Sequence, residues 1–337
     1  MPTALLLYRK TRPSGNFSIE ISFDRMKAVF PLIAPSGWEI LHFISSFFSN
    51  GFLSRLRAVW EAKKQFADVY HVTGDVHYLV LGLPGGRCLL TIHDCGFVHD
   101  ARGIKRAVLK FFWLTWPVRR SRLITAVSEA TKLDIIRLVN CPQEKVRVVP
   151  TLIAGHFKRV RRHFERDRPV VLFVGLAPNK NFERQVTALT GLSVQLRVIG
   201  KPRAEHLQVV NKTGIDCQFS YNLNESEMQS AYAACDMLLF ASTLEGFGMP
   251  ILEAQTVGRP VVTSNISSMP EVAGEGACLV NPYDINSIRE GVLRVLHDAE
   301  YRENLISKGF ENVKRFQPET VARQYAALYE EILNGRI

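Results

Sequence analysis

Short apolar runs alternate with longer segments of helical period along the chain, and a charged stretch interrupts the alternation near the middle. This alternation is typical of parallel sheets covered by helices. In the first half the apolar runs predict strands at 4–8, 39–44, 69–73, 88–92, 123–127 and 146–149. In the second half they predict strands at 170–174, 196–199, 216–220, 237–240, 260–263 and 278–280. The pattern therefore predicts two Rossmann-like α/β domains in series.

The domain boundaries follow from the interruption and from the end of the strand pattern. A chain of 337 residues has the length of two domains. The stretch 156–168 is too charged for a core, so we predict a linker there between a first domain at 1–155 and a second at 169–317. Residues 318–337 form a final amphipathic helix whose apolar stripe needs a groove to cover it.

Composition indicates a soluble globular protein, with 47% hydrophobic and 22% charged residues. The six cysteines lack CxxC pairing and fall mostly within apolar segments. They are Cys88, Cys95, Cys141, Cys217, Cys235 and Cys278. We therefore predict reduced core thiols and a cytoplasmic protein.

A net charge of +10 favours anionic partners, namely nucleotides, phospholipid surfaces or nucleic acid. Much of the charge lies in 102–122, where lysines and arginines are interleaved with leucine, phenylalanine and tryptophan. A basic amphipathic helix with aromatics is typical of proteins that lie on an anionic membrane, which would make the protein peripheral at the inner face of the cell membrane. A core-facing helix with a solvated basic edge fits the same pattern. Nucleic-acid binding rests on net charge alone, without a recognition motif, and is disfavoured.

The segment 242–253 predicts a ligand site. It follows a buried strand and contains Glu245, a glycine-rich turn, and Glu253 eight positions later. Pro250 fits the first turn of a helix. The amides of 246–249 then lack helical partners and offer hydrogen bonds to phosphate or hydroxyl oxygens.

A second phosphate-facing element opens the second half, where Gly175 ends a strand and Lys180 begins a helix. Loops that follow parallel strands open on the carboxyl edge of the sheet, so Lys180 and the Glu245 turn are expected to meet the same anion. A solvated lysine at a helix start is the simpler interpretation of Lys180 taken alone.

Together these residues resemble a known family. The segment Glu245-Gly-Phe-Gly-Met-Pro-Ile-Leu-Glu253 is similar to the E-x7-E motif of retaining, nucleotide-sugar-dependent glycosyltransferases of the GT-B fold, family 4. Further segments at 178–181, 231–236, 258–264 and 270–274 resemble that family's C-terminal domain in the same order. The likeness is strong over 168–335. In the first half it is carried mainly by Thr91-Ile-His-Asp94 and Ala126-Val-Ser-Glu129.

The resemblance implies roles for particular residues. Glu253 would accept hydrogen bonds from the ribose hydroxyls, Lys180 would neutralise the diphosphate, and Glu245 would face the hydroxyls of the donor sugar. The other donor-side positions that it implies are Gly175, Leu223, Gly246, Phe247, Gly248 and Met249. The donor would be a UDP- or GDP-sugar used as a substrate, with no cofactor and no required metal.

On the acceptor side, the resemblance implies that His93 approaches the transferred sugar across a cleft between two facing domains. The final helix would cross back to the first domain. Asp94 and the loop after the first strand would line the acceptor, which is predicted to be a glycan or a lipid-linked saccharide of cell-surface polysaccharide synthesis. That loop contains Gly15, Asn16, Phe17 and Ser18. A structural histidine paired with Asp94 is the alternative for His93. A metal cluster with Cys95 and His99 fits no usual spacing.

One departure from the family concerns the leaving group. Many members carry an arginine shortly after the strand-ending glycine, whereas Leu176 and Ala177 stand here. Arg203 and Lys201 are the candidate substitutes. The missing arginine leaves a second hypothesis open, a nucleotide-sugar-binding protein with impaired transfer.

Overall fold

The computed structural model describes residues 1–10, 18–33, 37–153 and 155–335. The chain divides into two compact units, one formed by Met1–Leu152 with Phe316–Ile337 and the other by Ile153–Arg315. Each unit contains a six-stranded parallel sheet, which confirms the predicted fold class.

The first sheet has the order β2-β1-β3-β4-β5-β6. Its strands are β1 (Thr3–Tyr8), β2 (Glu39–Ile44), β3 (Val69–Val72), β4 (Cys88–Ile92), β5 (Leu123–Ala126) and β6 (Val146–Val148). The central strands are buried on both faces, which explains why they read as continuous apolar runs rather than as an alternation. The chain order reverses between β1 and β3, where the carboxyl ends of neighbouring strands open a crevice.

Helices cover both faces of this sheet. They are α1 (Ser18–Ile33), α2 (Phe52–Lys63), α3 (Gly96–His99), α4 (Gly103–Leu109), α5 (Trp116–Arg120) and α6 (Glu129–Val139). A π-helical turn at Lys110–Thr115 joins α4 to α5. The core on one face includes residues of α2, of the π-helical turn, of α5 and of α6, so these helices form one layer. The core on the other face contains α1 and the C-terminal helix.

That C-terminal helix, α14 (Pro318–Leu333), belongs to the first unit, as the resemblance implied. Its stripe of Val321, Tyr325, Tyr329 and Ile332 is buried against α1 and the sheet. The hydroxyl of Tyr329 lies 2.8 Å from Nδ1 of the fully buried His71. Burial of its apolar stripe therefore fixes this helix on the unit.

The second sheet has the order β12-β11-β10-β7-β8-β9, the arrangement of a dinucleotide-binding Rossmann sheet. Its strands are β7 (Val170–Val174), β8 (Gln195–Ile199), β9 (Asp216–Ser220), β10 (Met237–Phe240), β11 (Val261–Ser264) and β12 (Cys278–Val280). The helices of this unit are α7 (Phe182–Ala188), α8 (Ala204–Thr213), α9 (Glu225–Ala234), α10 (Met249–Val257), α11 (Met269–Ala273), α12 (Ile285–His297) and α13 (Ala299–Asn312). The chain order reverses between β7 and β10.

The stretch 156–168 lies within the second unit. Arg162 forms a two-pronged ion pair with the buried Asp236, with Nε 2.8 Å from Oδ1 and Nη2 3.2 Å from Oδ2. Part of the high charge that suggested a linker is thus paired with a buried aspartate of the second unit. Among the described residues, no helix is long and apolar enough to span a bilayer.

Candidate functional site

The loops after β7 and β10 meet at the point where the strand order of the second sheet reverses. In open α/β sheets this crevice is the usual ligand site. The two loops carry Gly175, Lys180 and Glu245, which sequence reasoning had placed on one edge.

Side-chain amides hold the two loops together. Asn181 has a positive φ of 59° and donates from Nδ2 to the carbonyls of Ala241 (3.0 Å) and Pro282 (2.7 Å). Asn179 donates to the carbonyl of Leu244 at 2.7 Å. Because these bonds are buried or partly buried, they fix the loops at one separation.

Lys180 and Glu245 form the central contact of the site. The ammonium lies 2.7 Å from Oε1 of Glu245 and 4.6 Å from the centre of the Phe240 ring. Both side chains are largely buried. Gly175 makes room for the lysine stem, because a Cβ there would lie 2.9 Å from Cε of Lys180 and the backbone has φ +89°. Lys180 is thus positioned by a glycine and by a carboxylate.

Two serines after β11 shape the backbone of the Glu245 turn, and sequence reasoning missed both. Ser267 Oγ donates to the carbonyl of Glu245 at 2.8 Å and accepts from its amide at 3.2 Å. Ser268 Oγ donates to the carbonyl of Phe247 at 2.7 Å. Ser267 has a positive φ of 59°, a conformation that residues other than glycine rarely adopt, so the surrounding contacts must hold the backbone in it. Serines next to a loop give little signal in a single sequence.

Helix α10 begins at this turn. Its N-cap, Gly248, has φ +107°, and no side chain of the described residues caps the helix. Pro250 stands in the first turn, as predicted. Gly246, Phe247 and Met249 lie around the same helix start. The positive end of the helix dipole is therefore available to an anion.

Glu253 lies one turn further along α10 and keeps part of its surface accessible. Tyr232 donates to its Oε2 at 2.5 Å. Burial raises the pKa of Glu253 to about 7, although the Tyr232 bond and the charge of Lys180 act in the opposite direction. Among the described residues no hydrogen bond reaches Oε1, so one oxygen remains to accept from a ligand.

The candidate substitutes for the missing arginine have other partners in the structure. Arg203 is mostly exposed and pairs with Glu205 at 3.7 Å. Lys201 lies 5.9 Å from the ring centre of Tyr221. Leu223 lines a cavity of about 480 Å³ between β8, β9 and α9. The structure thus brings together Gly175, Lys180 and Glu245, but it does not place Arg203 or Leu223 in contact with them.

In the first unit, His93 follows β4. Its Nε2 donates to the carbonyl of Thr73 at 2.8 Å, and Gly74, with φ +135°, leaves room for the ring. Asp94 is exposed and accepts from the amide of Gly96 at 2.8 Å. Among the described residues no hydrogen bond or ion pair joins His93 to Asp94.

His93 and Asp94 line a cavity of about 250 Å³ in the first unit, together with His77 and Phe97. Arg55 of α2 and Trp113 of the π-helical turn also line it, with the guanidinium 4.2 Å from the ring centre. The predicted acceptor residues Gly15, Asn16 and Phe17 lie outside the described residues, and Ser18 begins α1. Nε2 of His99 lies 3.1 Å from Oδ2 of Asp134, so the partner of His99 is this carboxylate rather than Cys95.

Comparison with solved structures defines the class of fold. The chain is similar to sucrose-phosphate synthase from Thermosynechococcus elongatus, with a TM-score of 0.79, 18% identity, and 99% and 100% of the two chains covered. It is also similar to HepE of Anabaena in complex with UDP and glucose, with a TM-score of 0.75, 17% identity, and 98% and 100% covered. The fold is that of the GT-B glycosyltransferases.

Two family models then account for most of the sequence. Glycosyltransferase Family 4 matches residues 28–154, and Glycosyl transferases group 1 matches residues 156–312. The chain belongs to the group 1 glycosyltransferases of family 4. O-antigen chain mannosyltransferase B of Escherichia coli is 29% identical over 302 residues, covering 81% of this chain and 77% of that protein.

Proposed function

We propose that this glycosyltransferase moves a hexosyl group from a UDP- or GDP-sugar to a glycan or lipid-linked saccharide, with retention of anomeric configuration. One observation carries the proposal, namely the Lys180–Glu245 ion pair beside the uncapped start of α10. Two similar proteins support it, namely HepE of Anabaena, whose structure is a complex with UDP and glucose, and an O-antigen chain mannosyltransferase of Escherichia coli.

In the proposed complex the diphosphate takes the place of the Glu245 carboxylate at Lys180. Glu245 is thereby released to the hydroxyls of the donor sugar, and Glu253 accepts from the ribose through Oε1. The positive end of α10 stabilises the negative charge that grows on the leaving phosphate. This assignment gives the two glutamates separate partners in one ligand.

The reaction breaks the bond between the anomeric carbon and the diphosphate oxygen and forms a bond to the acceptor hydroxyl oxygen. The acceptor proton passes to the leaving diphosphate. His93 contacts the transferred sugar, and no metal is required. The protein acts in the cytoplasm at the inner face of the cell membrane, with the basic segment 104–122 against the lipid.

The test measures donor binding and donor hydrolysis separately. Purified protein is incubated with UDP-, GDP- and ADP-sugars, and the melting temperature and the released nucleotide are recorded. We expect one donor to raise the melting temperature, and Lys180→Ala and Glu253→Ala to abolish the rise. Lys212→Ala and Glu290→Ala are matched controls because both residues are exposed on helices of the same unit.

A melting temperature that no donor changes, with both variants equal to the wild type, contradicts the proposal. The missing arginine supports a second candidate, a binding protein without transfer. A donor that binds but yields no glycosylated product from a mixed acceptor extract favours that candidate. Mass spectrometry of the extract distinguishes the two.

A further inference from the structure

Two neighbouring helical segments of the first unit expose apolar side chains to solvent. In the segment formed by α4, the π-helical turn and α5, Ile104, Val108, Phe111, Phe112 and Trp116 are exposed, Ile104 to 85%. Their spacing puts them along one side of the segment. The three aromatic rings contact one another, with centroids 5.1 to 5.8 Å apart. An amphipathic segment with its apolar stripe turned outward is the reverse of a core-facing helix.

Helix α2 repeats the arrangement. Its exposed residues are Phe52, Leu53, Leu56 and Trp60, with Phe52 at 73% and Trp60 at 60%. Ala58 and Ala62, on the opposite side, are fully buried in the core that the helix shares with the sheet. Small residues face the core and large apolar residues face outward, so packing within the unit does not explain the stripe.

Both stripes lie on the same side of the first unit. Ala58 and Ala62 of α2 share one core with Leu114 of the π-helical turn and Val118 of α5, so the segments lie in the same layer over one sheet face. They meet where Arg55 stacks on Trp113. Residues opposite the buried ones therefore point away from the sheet in both segments.

The charge on this layer indicates which kind of surface it would bind. Residues 101–122 contain no aspartate or glutamate, and Lys105, Arg106 and Arg119 are exposed. In α2, Arg57 and Lys63 are exposed. The one acid of α2, Glu61, accepts hydrogen bonds from the hydroxyl of Ser45 and the amide of Ser46, both at 2.9 Å. Outward aromatic and aliphatic groups bordered by cations are complementary to an anionic lipid surface.

We propose that the outward faces of α2 and of the α4–α5 segment form a single docking surface for an anionic phospholipid bilayer. The cavity that His93 lines is also lined by Arg55 and Trp113, which are residues of these same segments. Docking therefore holds the cavity beside the lipid head groups. On the basis of the proposed function, this makes the acceptor a lipid-linked saccharide that enters the cavity from the bilayer.

Vesicle binding tests the charge contribution. Lys105→Glu/Arg106→Glu/Lys110→Glu should bind vesicles of phosphatidylcholine with phosphatidylglycerol at least about a hundredfold more weakly than the wild type. Each cation near such a surface contributes about 1 kcal/mol, and about 1.4 kcal/mol corresponds to a factor of ten. Arg161→Glu/Arg166→Glu/Lys212→Glu changes net charge equally on exposed residues of the second unit and should bind like the wild type.

The apolar contribution has its own variants. Leu53→Ser/Trp60→Ser in α2 and Ile104→Ser/Phe112→Ser in the other segment should each lower binding, whereas Leu207→Ser in the second unit should not. Emission from Trp60 and Trp116 should shift to the blue with anionic vesicles and stay unchanged with phosphatidylcholine alone.

Wild-type vesicle binding by both stripe variants overturns the proposal. Association of the protein with itself that these variants abolish, without vesicle binding, overturns it in favour of a second copy of the chain. Donor-induced melting shifts, measured without vesicles, report on the proposed function independently. Equal transfer to a water-soluble saccharide and to lipid-linked acceptor in vesicles would contradict the acceptor assignment.

Discussion

The two glutamates of the site lie in different electrostatic environments. Glu245 is paired with a cation, whereas Glu253 is hydrogen-bonded to a tyrosine hydroxyl within a buried region. Ionisation of Glu253 in the folded protein therefore costs free energy. The E-x7-E spacing predicted that both carboxylates would lie near one turn, but their partners are 65 and 21 residues away and cannot be read from local pattern.

The raised pKa of Glu253 predicts a pH dependence of stability. An unfolded glutamate loses its proton near 4.5, whereas the folded one keeps it to about 7. The folded state therefore binds more protons between these values, and the free energy of unfolding falls as pH rises from about 4.5 to about 7. Glu253→Gln should lack this contribution. Denaturant unfolding of both proteins from pH 5 to pH 8 checks it, and parallel profiles would show that Glu253 does not titrate abnormally.

Gly175 provides a second prediction at the residue scale. Gly175→Ala should cost about 1 to 2 kcal/mol of stability because of its positive φ, and it should weaken donor binding because the methyl group displaces Lys180. Gly191→Ala is the matched control, since Gly191 has φ +75° with open space around its Cβ position. Comparable destabilisation of both variants, with donor affinity lowered only in the first, is expected. Equal donor affinity would show that Lys180 is not positioned by this glycine.

At the scale of elements, the apolar runs predicted the twelve strands of the described residues to within one residue at each end. Parallel strands buried on both faces leave a strong signal in sequence. The outward stripe of α2 was not predicted, because the same period fits a helix that buries its apolar side. Which side faces the core depends on the small residues Ala58 and Ala62, and their burial appears only in the packed layer.

The docking of α14 depends on one buried polar contact as well as on apolar burial. His71 is bonded by Tyr329 at Nδ1 and by Thr91, 2.7 Å away, at Nε2, and burial lowers its pKa to about 3. Tyr329→Phe leaves a buried ring nitrogen without a partner and should cost about 1 to 3 kcal/mol. Tyr325→Phe should cost less, because that hydroxyl lies 3.5 Å from Thr91. Denaturant unfolding compares them, and equal losses would contradict this explanation.

At the scale of the whole molecule, the sequence predicted two sheets in series and the return of the last helix to the first domain. The stretch 156–168 was predicted as a linker because it is rich in charge, yet Arg162 pairs with a buried aspartate 74 residues away. The lysines, arginines and acids of the stretch are exposed, as their charge predicts, and Arg162 reaches its buried partner from an exposed position. A single sequence does not reveal such a partner.

The division into two units predicts where a donor should protect the backbone. Hydrogen exchange of the full chain should slow at 175–181 and 243–253 when UDP is added, because these segments carry Lys180, Glu245 and Glu253, which contact the donor in the proposed complex. Residues of α14 should exchange at the same rate in both conditions, since they belong to the first unit. Protection confined to other segments would contradict the proposed donor site.

The strand order of the second sheet also bears on synthesis. Lys180 and Glu245 are brought together by β7 and β10, which are neighbours in the sheet but are separated by two further strands and their helices in the chain. A nascent chain that has emerged only as far as β9 contains the lysine and lacks its carboxylate partner. The proposed nucleotide-sugar site is thus incomplete until β10 and the turn that carries Glu245 have been synthesised.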